Sequence, residues 1–122
     1  MPTKQYVRRE PNAGGMTSTT VDIVSLTGTN FATVLNVTAS SGTTQTLDVK
    51  VENLDPLSLN VIGSSLITHT QVTSATPLPF TEMKVWADTT SIIFSPVLKI
   101  TFTLGGTTPS FSFSFEIISK GF

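Results

Sequence analysis

The sequence predicts an all-β protein: a single antiparallel two-sheet sandwich of about eight strands, jelly-roll or Ig-like, with an extended N-terminal arm. Three observations predict it. Apolar and polar residues alternate with a period of two in several stretches, and no stretch sustains the 3.6-residue period of an amphipathic helix. Thr and Ser make up 36 of the 122 residues, 22 and 14 respectively, and β-branched Thr suits a half-buried pleated surface. Turn residues punctuate the alternating stretches at the short, regular spacing of a sandwich or barrel.

Residues 1–15 form the arm, and residues 16–122 the sandwich domain. The arm is basic and unpatterned. It holds Lys4, Arg8 and Arg9, the prolines Pro2 and Pro11, and the pair Gly14-Gly15. Two adjacent glycines accept backbone angles that other residues resist, so Gly14 and Gly15 are the expected hinge. Strands follow at about 20–27 and 31–39, and Ser40-Ser41-Gly42 marks a hairpin. "TTQTLDVKVEN" is the clearest strand: Gln45, Leu47, Val49 and Val51 share one face, and Thr44, Thr46, Asp48, Lys50 and Glu52 the other. Less regular strands are expected at about 57–62, 65–73, 80–87 and 90–95. Asp55-Pro56, Gly63-Ser64, Pro77-Leu78-Pro79, Asp88-Thr89 and Ser95-Pro96 punctuate them. "VLKITFTLGG" then points Leu98, Ile100, Phe102 and Leu104 inward, and Gly105-Gly106 reads as a strand-to-strand turn. In "SFSFSFEII", Phe111, Phe113, Phe115 and Ile117 oppose Ser112, Ser114 and Glu116. Both sandwich topologies, jelly-roll and Ig-like, remain open at this point.

Composition narrows the function classes. Charged residues are 12% of the chain, about half of the ~25% usual for soluble domains. A hydroxyl surface with few charges repels itself weakly, which suits contact with copies of itself. The net charge of −1 argues against bulk nucleic-acid binding, which needs clustered Lys and Arg. Residues 1–10 carry three positive charges and one negative, net +2, and residues 11–122 carry four positive and seven negative, net −3. Arm and body are of opposite sign, so an arm is attracted to a neighbour's body. The absence of Cys leaves no disulfide framework or thiolate chemistry. "MPTKQYVRRE" lacks the apolar core of a secretory signal, and no run reaches the ~18 apolar residues of a membrane span. The expectation is a chain made in the cytoplasm without a signal peptide, ending in a virion or on a spore or cell surface.

No motif names a reaction, so no enzyme activity, cofactor or metal is expected. His69, in "LITHTQV", is the only histidine, and without an activated Ser and an acid it forms no triad. There is no G-x-S-x-G elbow. Asn53 and Asp55 share a loop and could lend oxygens to calcium, but no D-x-D-x-D pattern supports this. Asn36 begins an N-V-T sequon, read as plain strand in a chain without a secretion signal. In "FTEMKVWAD", Met83, Val85 and Ala87 lie on one face and Glu82, Lys84 and Trp86 on the other. A Trp on the charged face is core packing at a strand end, an interface contact, or a sugar platform, so Trp86 is the candidate interface or ligand contact.

Ordering fifteen arm residues costs on the order of 15–30 kcal/mol, so the arm needs a dock. It can fold back on its own sandwich, pair with another copy, or grip nucleic acid. Three positive charges diluted by Glu10 are few for packaging a genome. An open sheet edge on another copy is the favoured dock, engaged by Tyr6, Val7, Arg8 and Arg9. The chain therefore reads as a non-enzymatic, self-assembling structural subunit: first a bacteriophage coat, decoration or tail protein, second a spore- or cell-surface filament (pilus-like) subunit. A glycan- or receptor-binding sandwich module is the alternative from another class. The expected partners are copies of itself or another structural lattice, with no membrane and nucleic acid disfavoured.

Overall fold

The three stretches with the strictest alternation fall in two strands much longer than the sequence predicts. A computed structural model describes residues 3–10, 15–25, 30–86 and 97–120. Its strands are β1 (Thr3–Glu10), β2 (Thr20–Ser25), β3 (Asn30–Leu54), β4 (Val61–Thr68), β5 (Val72–Thr73), β6 (Phe80–Trp86) and β7 (Val97–Lys120). The expected strand at 90–95 and the hinge residue Gly14 lie outside the described residues. All seven strands pair antiparallel in one hydrogen-bonded sheet. The protein is all-β, and no helix among the described residues is long and apolar enough to cross a membrane.

β3 and β7 form the spine, paired from Asn30 opposite Lys120 to Leu54 opposite Val97. β1 and β2 line the outer edge of β7, and β6, β5 and β4 line the outer edge of β3. Drawn straight, a strand of 25 residues would run about 80 Å, whereas a compact domain of this length is roughly 35 Å across. The spine must therefore bend. It does so where the ladder shifts register, between Val37 and Thr46 on β3. Backbones there turn left-handed: Gly42 at φ +124°, Thr44 at +50°, Gly106 at +94° and Thr108 at +44°. A Cβ on Gly42 would lie 2.8 Å from the Thr108 carbonyl oxygen, and one on Gly106 2.6 Å from that of Thr44. The glycines permit both the angle and the close approach.

These positions correct two expectations. Ser40-Ser41-Gly42 and Gly105-Gly106 are not hairpin turns; they are facing bends within continuous strands. Gly63-Ser64 is likewise inside β4, where the pairing with β3 slips between Val51 and Asn53. A glycine between two apolar runs ends a strand or bulges it, and only the partner strand decides which.

The inward faces follow the alternation. Phe31, Leu35, Val37, Leu47, Val49, Val51, Leu98, Ile100, Phe102, Phe111, Phe113, Phe115 and Ile117 are buried in one cluster. Rings from the two halves of the bent spine meet within it: Phe102 lies 5.3 Å from Phe113 and 5.5 Å from Phe115 between centroids. Burying one such ring contributes roughly 1.5–3 kcal/mol.

The N-terminal segment runs along β7 through both halves. β1 pairs from Thr3 opposite Ser119 to Glu10 opposite Phe113. Met16 then bridges Phe111, with N–H···O bonds of 2.9 and 3.0 Å, and β2 continues opposite 97–102. Gly15 has the left-handed backbone expected of a hinge, at φ +30°, but is pressed against Phe111, whose carbonyl a Cβ would strike. Residues 3–10 thus form the edge strand of their own chain's sheet.

Candidate functional site

The chain's one imidazole sits where the two halves of the sheet meet. His69 follows β4, held by its N–H to the Val49 carbonyl at 2.9 Å, and its ring enters the core edge-on to Phe115 at 5.8 Å. From the other half come Thr33 on β3 and Glu82 on β6. Thr33 Oγ1 lies 2.7 Å from His69 Nε2, and His69 Nδ1 lies 2.8 Å from Glu82 Oε1. Glu82 also accepts from the Thr70 N–H at 2.9 Å and the Thr70 hydroxyl at 2.6 Å. The consistent tautomer is the neutral one: Nδ1–H donates to the carboxylate, and Nε2 accepts from the Thr33 hydroxyl.

The electrostatics agree with that assignment. Burial is the largest influence on His69 and holds it below its ordinary value of 6.5, against the hydrogen bond and charge of Glu82; Lys84 adds to the depression. Burial acts to raise Glu82, but the hydrogen bonds from Thr70 and His69 outweigh it, and the carboxyl stays below its ordinary 4.5. The order hydroxyl, imidazole, carboxylate is that of a nucleophile, base and orienter. Access decides the matter. Thr33 is 0% exposed and His69 2%, so no substrate carbonyl can approach the hydroxyl. The relay ties one half of the sheet to the other.

His69 was expected to be an ordinary strand residue, and spacing gave no hint of its partners, which lie 36 and 13 residues away. The usable signal was Glu82. It shares a face with Trp86, and a half-buried carboxylate under a core strand needs a donor.

Trp86 is 7% exposed and stacks on Phe31, with centroids 5.7 Å apart and planes at 22°. It packs within its own chain and offers no platform to a sugar. The consequence lies on the other side of β6: Met83 and Val85, on the face opposite Trp86, are 63% and 64% exposed. β2 does the same with Val21 at 47% and Ile23 at 54%.

Asn53 and Asp55, weighed as calcium ligands, turn to separate tasks. Asn53 is buried and donates to the Val97 carbonyl at 3.0 Å. Asp55 folds over its own turn, accepting from the Ser58 hydroxyl at 2.7 Å and the Leu57 N–H at 3.1 Å. These bonds hold its carboxyl below the ordinary range.

Of the arm residues, Tyr6 stands opposite Ile117, Val7 opposite Glu116, Arg8 opposite Phe115 and Arg9 opposite Ser114. Ile117 and Phe115, the register partners of Tyr6 and Arg8, are buried. Fold and site define an all-β protein with a polar relay whose hydroxyl and imidazole are buried, and with exposed apolar residues on β2 and β6. No family model, curated protein or solved structure matches the chain.

Proposed function

We propose that the chain is a non-enzymatic structural subunit that assembles with copies of itself, as a bacteriophage coat, decoration or tail protein does. One observation carries this reading. β2 and β6, edge strands among the described ones, leave Val21, Ile23, Met83 and Val85 about half to two thirds exposed, while the hydroxyl and imidazole of the polar relay are buried. Apolar residues grouped on strand edges mark association surfaces.

Strand order supports the same reading. Counted as halves about the bend, the spine and its flanks make one four-stranded layer and a second in which β4 and β5 share an edge. One is ordered 3–10, 110–120, 30–41, 80–86; the other 20–25, 97–104, 46–54, then 61–68 and 72–73. Such a folded-over antiparallel ribbon is the plan of a jelly-roll sandwich, a fold common among capsid and lectin domains. Fold alone does not assign function, and with Trp86 inside the core the lectin-like reading lacks its binding residue. A spore- or cell-surface filament subunit remains the alternative setting for the same chemistry.

The arm's part in assembly is an exchange. The ladder that residues 3–10 make with 113–119 of their own chain is the one they would make with a neighbour's. Swapping identical elements is a low-cost route to oligomers. The anchor at Met16 and Phe111 keeps the body intact in either arrangement. Negative-stain microscopy of the full chain and of Tyr6→Ala tests this. Rings, filaments or discrete particles that the substitution disperses, with monomer melting unchanged, support it. A Tyr6→Ala chain that melts early yet assembles normally removes the arm from the interface.

A further inference from the structure

β6 is an edge strand whose own sequence complements itself. Among the described strands it pairs only with β3. Its seven residues, Phe80–Trp86, are centred on Met83. Two copies laid antiparallel about a two-fold axis through Met83 overlap along the whole strand. Met83 meets Met83, Thr81 meets Val85, and Glu82 of each copy meets Lys84 of the other.

We propose that the partner of the β6 edge is β6 of a second copy, in this register, so that the sheet continues from one subunit into the next. The inference rests on the self-assembly reading and names one of its interfaces. Three features of β6 select a second copy over other strands. Inward-directed charges on an edge strand oppose pairing with an arbitrary chain; Glu82 and Lys84 lie on the inward face, both partly buried. Only a strand with the opposite order of charges turns that penalty into two cross-strand ion pairs, and an isologous contact supplies that order automatically. Glu82 also has capacity left. Its Oε1 accepts from His69 and Thr70, and its Oε2 from the Thr70 hydroxyl, and a carboxylate oxygen takes about two donors.

The outward face fits as well. Met83 and Val85 lie beside Val34 and Ala32 on β3, with Ile118 of β7 next along the same row as Ala32. All three neighbours are partly exposed, so the pairing joins two apolar bands edge to edge. The other exposed apolar pair, Val21 and Ile23 on β2, lacks this property: the outward rows beside it hold Thr101, Lys99, Lys50 and Glu52 and show no self-complementary order.

The chain contains no cysteine, so single substitutions report the register directly. Residues directly opposed in an antiparallel pair have Cα atoms about 4.5–5.5 Å apart, within reach of a disulfide. Under mild oxidation, Met83→Cys should link to itself in most molecules. Val85→Cys alone should not, but Val85→Cys mixed with Thr81→Cys should. Lys84→Glu, which sets like charges opposite one another twice, should weaken the contact on the order of tenfold. Light scattering on the unmodified chain separates the outcomes. Oligomers without a Met83→Cys link overturn this interface and leave self-assembly standing. A monomer at every concentration, again without a link, overturns both. Equal linking by Val85→Cys alone overturns the two-fold register.

Discussion

At the scale of single residues, His69 and Glu82 give stability a dependence on pH with a definite sign. The folded state holds His69 neutral, below its ordinary 6.5, so the unfolded chain binds the proton more readily. Stability is then complete above about pH 6.5 and falls as pH drops toward the lower folded value. Glu82 is also held below its ordinary 4.5. Its contribution is present above that value and is lost as pH falls through the folded one. Thermal melts at pH 7.5 and pH 5.0 should show a lower Tm at the acid value, and His69→Gln should flatten that difference; equal melts for the unmodified chain would show the imidazole to be accessible to protons in the fold. Trp86→Ala should cost about 3–5 kcal/mol, as removal of a buried ring does, while Met83→Ala, on the exposed face of the same strand, should change unfolding of the dissociated chain by no more than about 0.5 kcal/mol. Urea unfolding of the two variants checks which face of β6 is inside.

At the scale of elements, what the sequence disclosed depended on how local the cause was. Alternation is local, and the faces of 45–51, 98–104 and 111–117 were legible because each side chain's direction follows from its neighbours. Continuity was not. A glycine at 42 or 106 reads alike in a hairpin and in a bend, and the choice is made by β7 lying opposite β3 across the bend. The inward face of β6 was not legible for a related reason. Met83 and Val85 look like core residues beside Glu82 and Lys84, until Phe31 provides a seat for Trp86 and reverses the strand. The bends make their own prediction. Gly42→Ala and Gly106→Ala each add a Cβ against an opposing carbonyl as well as a left-handed backbone, and should each cost about 1–3 kcal/mol. Gly63→Ala, at φ +70° with nothing within 4 Å of the added Cβ, should carry only the left-handed penalty of about 1–2 kcal/mol. Denaturation midpoints of the three variants at constant m measure this order.

At the scale of the whole molecule, β1 and β6 lie on opposite sides of the β7–β3 spine, in the order β1, β7, β3, β6. A two-fold contact at one edge and an arm exchange at the other would together extend beyond a dimer, because an exchange that does not close on itself propagates. Low charge and a hydroxyl-rich exterior favour close approach of such neighbours. The relay from Thr33 to Glu82 would then hold the two halves of the sheet together beneath the β6 contact. The central claim, that copies of this chain associate, is tested most directly by light scattering of the full chain across a wide concentration range. A mass rising from the 13.0 kDa of one chain to dimers and larger species is the predicted result. A constant 13.0 kDa at millimolar concentration and physiological salt would contradict it.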